Sequence, residues 1–395
     1  MHAFVTYSRA LIPDQRGLVL YSSLMLLALL MAVGVQAIVS TQSNFQISAN
    51  LRSENAAFYL SEAGIEWSKN ELARTTAHPP PAIDSSSAIS SGTFSVATIS
   101  TVAVSPLMSS TVVRSTGKFA SSSQIVQAEL IKRSLLADAA VGLRGNASHP
   151  IFFGTDFSIS GMDHDPATGK PIPNVRPYPG ISVSNAATKE QIEMSLEPNQ
   201  LSKISGTDRQ GATIAESRNL PTESIVRLAD ELCLAENTQL TAIPPNTTLS
   251  LADQRWGNRS VPELRCIDGS PGAGDSVAAL SNSSGVGILV ARNADLILQG
   301  GFRWEGLIII TGSMVSLKIL ETGPKEIIGG VIINETGTYS ESNPSTLDIH
   351  GPIKIIFSRS ALQTAATVVP ASPLTGAYAS LPSEIVQSYW RLITP

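Results

Sequence analysis

Residues 17–51 form the longest stretch of the sequence without a charged side chain, and this stretch most constrains what the chain can fold into. Its apolar core, residues 18–39, would extend about 33 Å as an α-helix, which is enough to cross the hydrocarbon layer of a bilayer. Arg9 and Arg16 precede this core, so the positive-inside rule predicts a cytoplasmic amino terminus. A single membrane crossing would place everything after about residue 42 outside.

The helical pattern continues beyond the apolar core. Residues 41–74 contain no proline and only one glycine. Apolar side chains recur at intervals of four and then seven residues, as expected for one stripe of a helix, at Ile47, Leu51, Phe58, Ile65 and Leu72. We therefore predict one helix over residues 18–75, with a transmembrane part (18–39) and an amphipathic part (40–75) whose stripe contacts other helices or the chain's own head.

Two other interpretations of this segment stay open. The small residues of AVGVQA (Ala32–Ala37) could form the cleavage site of a secretory signal, after which the helix would be removed. The stripe could also belong to a coiled coil next to the membrane, although a receptor would rarely begin its membrane span this close to the start of the chain.

The motif RG before an apolar helix, followed by ANLRSENAAFYLSEAGIEW (Ala49–Trp67), resembles the type IV pilins and pseudopilins, and among them the PilX-like minor pilins. The resemblance covers residues 15–75. It implies that residues 1–17 are a cytoplasmic leader, which a prepilin peptidase removes after Gly17, and that Leu18 becomes the first mature residue. It also implies location in a bacterial inner membrane before transfer to a pilus, the periplasm or the cell surface.

One position departs from the pattern of the family. Major pilins usually carry a glutamate at the fifth mature position, where this chain has Ser22. The resemblance then implies a subunit at the tip or in the initiation complex of a filament. Its implied partners are other pilins and minor pilins, inner-membrane assembly proteins, the prepilin peptidase and the lipid bilayer.

The rest of the chain predicts β-structure. Residues 76–135 read as a serine-rich linker followed by pilin-like strands that pack on the helix, or alternatively as a separate β-domain on a flexible stalk. Apolar runs centred near Leu289, Ile309, Ile332 and Ile355 lie 20, 23 and 23 residues apart, close to the length of one coil of a parallel β-helix. A β-sandwich with regular hairpins is the second interpretation of this spacing.

We assign residues 136–181 to the first β-helix-like strands, 182–284 to an irregular insert and 285–370 to β-helix-like coils. Residues 371–395 are expected to cap the open end of the stack. Cys233 and Cys266, the only cysteines, fall in the insert. Export to an oxidising compartment favours a disulfide between them, while two unlinked buried thiols remain the alternative.

Composition and motifs exclude several functions. Only 15% of residues are charged and the net charge is −5, so no basic surface for nucleic acid is expected. Asp163, His164 and Asp165 in GMDHDPATGK do not complete a calcium loop and read as a solvated turn. The sequence has no serine elbow and no phosphate loop. We predict a protein that is not an enzyme and that uses no cofactor or metal.

The predicted fold class is α+β, mainly β, with a long N-terminal membrane-spanning helix, a β-rich head and a parallel β-helix-like C-terminal half. The favoured function is that of a minor pilin or pseudopilin, which packs into a filament by its helix. The alternative is a membrane-anchored β-helical adhesin or carbohydrate-binding protein. A polysaccharide-acting enzyme on the same fold is less favoured, because the predicted coils contain few acidic residues.

Overall fold

A computed structural model describes residues 15–75, 80–89, 92–105, 107–145, 150–208, 210–217, 219–269, 276–337, 346–370 and 381–393. Helix α1 spans Gln15–Arg74 without a break, a length of 60 residues or about 90 Å. Most of the leader assigned from the sequence, residues 1–14, lies outside the described residues.

The second half of α1 packs against a five-stranded antiparallel sheet. Its strands are β1 (Ser85–Ile89), β2 (Gly92–Ser105), β3 (Met108–Phe119), β4 (Ser122–Ser134) and β21 (Ser383–Ile393), in the spatial order β1-β2-β3-β4-β21. Strand β3 alternates between buried and more exposed residues, as expected of a sheet with one face on a helix. The strands predicted after residue 76 therefore pack on the long helix rather than forming a separate domain.

The other strands are β5 (Val141–Arg144), β6 (Pro150–Phe152), β7 (Phe157–Ser160), β8 (Ile181–Val183), β9 (Ile204–Ser205), β10 (Ile214–Glu216), β11 (Gln239–Ala242), β12 (Thr248–Ala252), β13 (Arg255–Trp256), β14 (Glu263–Asp268), β15 (Val277–Arg292), β16 (Asp295–Gly312), β17 (Leu317–Ile319), β18 (Lys325–Glu335), β19 (Leu347–Ile349) and β20 (Ile353–Phe357). The remaining helices are α2 (Ala186–Ser195), α3 (Pro198–Leu201), α4 (Thr222–Leu234) and α5 (Arg359–Ala366).

These strands form a curled 16-stranded sheet in which all pairs are parallel. Three faces follow one another around each coil. The first face stacks β12, β15, β16, β17, β19 and β6, and the second stacks β13, β15, β16, β18, β20, β7 and β9. The third stacks β11, β14, β15, β16, β18, β5, β8 and β10. The predicted fold class is confirmed, since a long helix precedes a parallel β-helix-like body.

A column of glycines turns the chain from the second face to the third. Gly287, Gly306 and Gly329 are in register on successive coils, with φ angles of 131°, 130° and 138°. A Cβ on Gly306 would lie 2.0 Å from the carbonyl oxygen of Gly287, and a Cβ on Gly329 would lie 2.0 Å from that of Gly306. Only glycine fits this corner, because both the backbone angle and the approach of the neighbouring coil exclude a side chain.

The coils do not follow chain order in space. Strand β5 lies in the middle of the stack, between β18 and β8, and the chain winds from it toward β10 at one end. Helix α4 then packs along β14, β15, β16 and β18 and leads to β11 at the opposite end. From there the coils return toward β5 and finish at β20, beside β7.

Residues 182–284 therefore differ from the irregular insert expected from the sequence. They contain β10 to β14, which form the coils at both ends of the stack, together with α2 and α4. The outward-facing residues of these short strands are mostly polar. The segment therefore lacks the long apolar runs from which the other coils were predicted. A disulfide joins Cys233 at the end of α4 to Cys266 in β14, with Cα atoms 5.4 Å apart.

The C-terminal residues also differ from their expected role. Strand β21 does not cap the β-helix but completes the antiparallel sheet by pairing with β4 from Ser134↔Ser383 to Ile125↔Ile393. The β-helix is thus an insertion between the last two strands of that sheet. The two connections meet where the Leu135 N–H donates to the Pro382 carbonyl oxygen at 2.7 Å.

Candidate assembly interface

The first half of α1 has no partner within the chain. Every large apolar side chain from Val19 to Val39 is more than half exposed, and the most apolar 18-residue window of the helix is entirely unburied. Among the described residues, α1 is the one helix long and apolar enough to cross a membrane. Burial of this surface requires lipid or other helices, because water solvates it poorly.

Exposed apolar residues also continue past the length that a bilayer would cover. Phe45, Ile47 and Leu51 are 72%, 53% and 54% exposed. They lie about 9 to 18 Å along the helix beyond residue 39. A partner outside the hydrocarbon layer is needed to bury them.

A stripe of small residues joins the second half of α1 to the sheet. Ala57, Ser61, Gly64 and Ser68 are spaced by four, three and four residues, and Ala57, Ser61 and Ser68 are fully buried. The hydroxyls of Ser61 and Ser68 donate to helix carbonyl oxygens three and four residues earlier, each at 2.7 Å, and need no partner in the sheet. Small side chains with internally satisfied hydroxyls let the helix backbone approach the strands closely.

The sheet contributes a glycine to the same contact. A Cβ on Gly117 of β3 would lie 2.0 Å from the Ala57 carbonyl oxygen and 2.4 Å from the Ser61 nitrogen. Across the contact, a Cβ on Gly64 would lie 2.1 Å from the Ser115 hydroxyl oxygen. Helix and strand are therefore in backbone contact at this point, and their relative position is fixed by the absence of side chains.

The structure divides the predicted apolar stripe into two groups. Ile65 and Leu72 are buried against the sheet, and Phe58 is partly buried with its ring 5.9 Å from that of Trp390 in β21. Ile47 and Leu51 are each more than half exposed. Sequence reasoning missed the small-residue stripe because it searched for large apolar side chains, although the spacing A-x3-S-x2-G-x3-S was visible.

The predicted processing residues lie at the beginning of α1. Gly17 and Leu18 belong to its first turn. Ser22 is exposed and its hydroxyl donates to the Val19 carbonyl oxygen at 3.0 Å. A serine hydroxyl is uncharged, so Ser22 offers no charge to a neighbouring chain.

A lysine ties the end of α1 to the sheet. The Lys132 ammonium of β4 is largely buried and donates to the Thr75 carbonyl oxygen, just after the last turn of α1. Burial lowers the pKa of Lys132. Its charge complements the negative end of the helix dipole, which stabilises the docked helix.

The acidic turn predicted to be solvated is instead built into the head. Asp163 and His164 are buried. The Asp163 carboxylate accepts from the Arg359 backbone N–H at 2.8 Å and pairs with its guanidinium at 3.1 Å. The Nε atom of Arg359 also lies 3.5 Å from the Oε2 atom of Glu384 in β21. This cluster therefore links the β-helix to the antiparallel sheet. Within the described part of the chain, no group of three or more His, Cys, Asp or Glu side chains could hold a metal ion.

No family model matches the sequence, and no curated protein matches it significantly. Among solved structures, the chain is similar to the competence-associated pilin ComZ from Thermus thermophilus, with 13% sequence identity and a TM-score of 0.25. That similarity covers 86% of this chain and 98% of the other. A likeness at this level assigns neither a family nor a function.

Proposed function

We propose that this chain is a pilin-type filament subunit without enzymatic activity. It enters the bacterial inner membrane through α1, with its amino terminus in the cytoplasm, and packs the exposed half of α1 among the helices of other pilins. The observation that carries the proposal is that Phe45, Ile47 and Leu51, beyond the span of a bilayer, are each more than half exposed. A simple anchor needs no exposed apolar side chains there, whereas a helix that packs among other helices on several sides does.

The second half of α1 supports the same proposal. Its backbone contact with the sheet at Gly117 holds the helix rigidly to the head, so that a force or a position imposed on the helix reaches the head directly. The membrane-anchored adhesin, the alternative function, would be served equally well by a flexible tether.

The proposed processing is tested by the mass of the mature protein. Membrane-extracted wild-type protein should begin at Leu18 and carry an N-methyl group after removal of residues 1–17. A Gly17→Val variant should keep Met1, because the peptidase needs a small residue at the cleaved bond. Gly34→Ala is the matched control, since no atom lies within 4 Å of a Cβ at that position, and it should begin at Leu18. A wild-type protein that starts at Met1, or after Ala37, would contradict the proposal.

The serine at position 22 supports the proposal that this subunit lies at the end of a filament. Without a carboxylate at this position, the helix cannot neutralise the free amine of a neighbouring subunit in lipid. Gold-labelled antibodies against the head should therefore bind at filament ends or at membrane assembly sites. Regular labelling along the filament would show instead that the chain is incorporated throughout.

A further inference from the structure

A shallow groove of about 610 Å³ runs along the second face of the β-helix. Its lining includes Asn282, Ser284, Phe302, Arg303, Glu326 and Lys354. One wall is the corner between the first and second faces. The segment around Pro166 lies on the other side, where the Pro166 carbonyl oxygen accepts from Arg259 at 2.6 Å and from Arg303 at 3.3 Å.

The floor of the groove holds a row of outward side chains, one from each coil, and the strand register extends this row beyond the groove lining to Arg255. The strand register aligns Arg255 with Ser284, Ser284 with Arg303, Arg303 with Glu326, and Glu326 with Lys354. We call these five residues the cationic row. Neighbouring strands are about 4.8 Å apart, so the three cations are spaced by about 10 Å and the row is about 19 Å long.

The cationic row carries an excess of positive charge. Glu326, its only carboxylate, pairs with Arg303 at 3.0 Å and with Lys354 at 3.3 Å. Arg303 and Lys354 nevertheless remain 49% and 44% exposed, which leaves donors directed to solvent. Arg255 is exposed and forms no ion pair with the described residues. The neighbouring Glu305 does not offset this charge, because it is buried and paired with Arg259 at 2.7 Å.

We propose that the cationic row binds an extended acidic polysaccharide that carries carboxylates at regular intervals. The row is straight, as an extended polysaccharide chain is. Its cations lie about 10 Å apart, which is close to the length of two successive sugar residues in such a chain. Guanidinium and ammonium groups bind carboxylates by charge-assisted hydrogen bonds, while Asn282 and Ser284 supply polar groups for sugar hydroxyls. Phe302 is 3% exposed and offers no stacking surface, which disfavours single-stranded nucleic acid.

Binding of a galacturonic acid oligomer to detergent-solubilised full-length protein, measured by calorimetry at low salt, tests this proposal. Each of the variants Arg303→Ala and Lys354→Ala should weaken binding about tenfold, the usual loss for a hydrogen bond to a charged group. Arg255→Ala should weaken binding similarly without breaking any ion pair among the described residues, so the loss of an ion pair cannot account for its effect. Dextran, a neutral polymer, should not bind.

Lys189→Ala is the matched control, because this lysine lies on α2, outside the groove. It should bind the oligomer as well as the wild type does. Failure of the wild type to bind, or equal binding by Arg255→Ala and Lys189→Ala, would overturn the proposal. Tight binding of oligothymidylate that depends on the same residues would also overturn it, in favour of a nucleic-acid site. None of these outcomes depends on processing at Gly17.

Discussion

Replacing Cys233 and Cys266 together by serine should lower the free energy of unfolding by about 3 to 4 kcal/mol, the chain-entropy value for a loop closed over 33 residues. The bridge attaches the end of α4 to β14, next to the terminal strand β11. Each terminal coil has a neighbour on one side only, and its share of stacking energy is correspondingly small. The bridge therefore stabilises the part of the β-helix that gains least from stacking.

Thermal unfolding followed by circular dichroism, with and without a reductant, measures this effect. Reduced wild type also lacks the disulfide but has no serine hydroxyls at these two positions. It should unfold at nearly the same temperature as the double serine variant, which would attribute the loss of stability to the missing bond rather than to the burial of hydroxyls. Hydrogen exchange should accelerate most in β11 to β13. Equal unfolding temperatures for oxidised and reduced wild type would show that the bridge contributes nothing to stability.

The substitution Gly117→Ala should separate α1 from the sheet. Its Cβ would lie 2.0 Å from the Ala57 carbonyl oxygen and 2.4 Å from the Ser61 nitrogen, and neither backbone atom can move alone. We expect a loss of about 3 kcal/mol, at the upper end of the usual cost of overpacking. Since α1 is held by the sheet only in its second half, local release of residues 53–74 is the expected consequence.

Hydrogen exchange and limited proteolysis of the detergent-solubilised full chain report this release directly. Residues 53–74 should lose protection while the β-helix keeps its own. Gly301→Ala is the matched control, because a Cβ there would have its nearest neighbour at 3.7 Å, an ordinary contact. Unchanged protection of residues 53–74 in Gly117→Ala would mean that the helix is not held by backbone contact.

Local features of the sequence predicted local features of the fold. The absence of charge from residue 17 to 51 and the lack of proline up to Arg74 predicted one continuous helix, which α1 confirms. The repeated spacing of apolar runs predicted the parallel coils, because each coil repeats the same sequence of faces. The glycine column at 287, 306 and 329 is the reason that glycines accompany those runs.

Features that depend on distant pairing could not be predicted in this way. Strand β21 pairs with β4 across the whole β-helix, and no local pattern in SEIVQSYWRLI identifies its partner. The central position of β5 has the same origin, since its neighbours β18 and β8 belong to different parts of the chain. The cationic row could not be seen in the sequence either, because its charges lie on different coils and never cluster in the sequence.

The insertion of the β-helix between β4 and β21 determines the order in which the antiparallel sheet can form as the chain is made. Helix α1 and the first four strands come early in the sequence, but the sheet stays one strand short until β21 has been added. A chain cut short within the β-helix would lack Trp390 and leave Phe58 without its aromatic neighbour. The sheet that holds α1 is thus complete only in a chain that also contains the whole β-helix and β21.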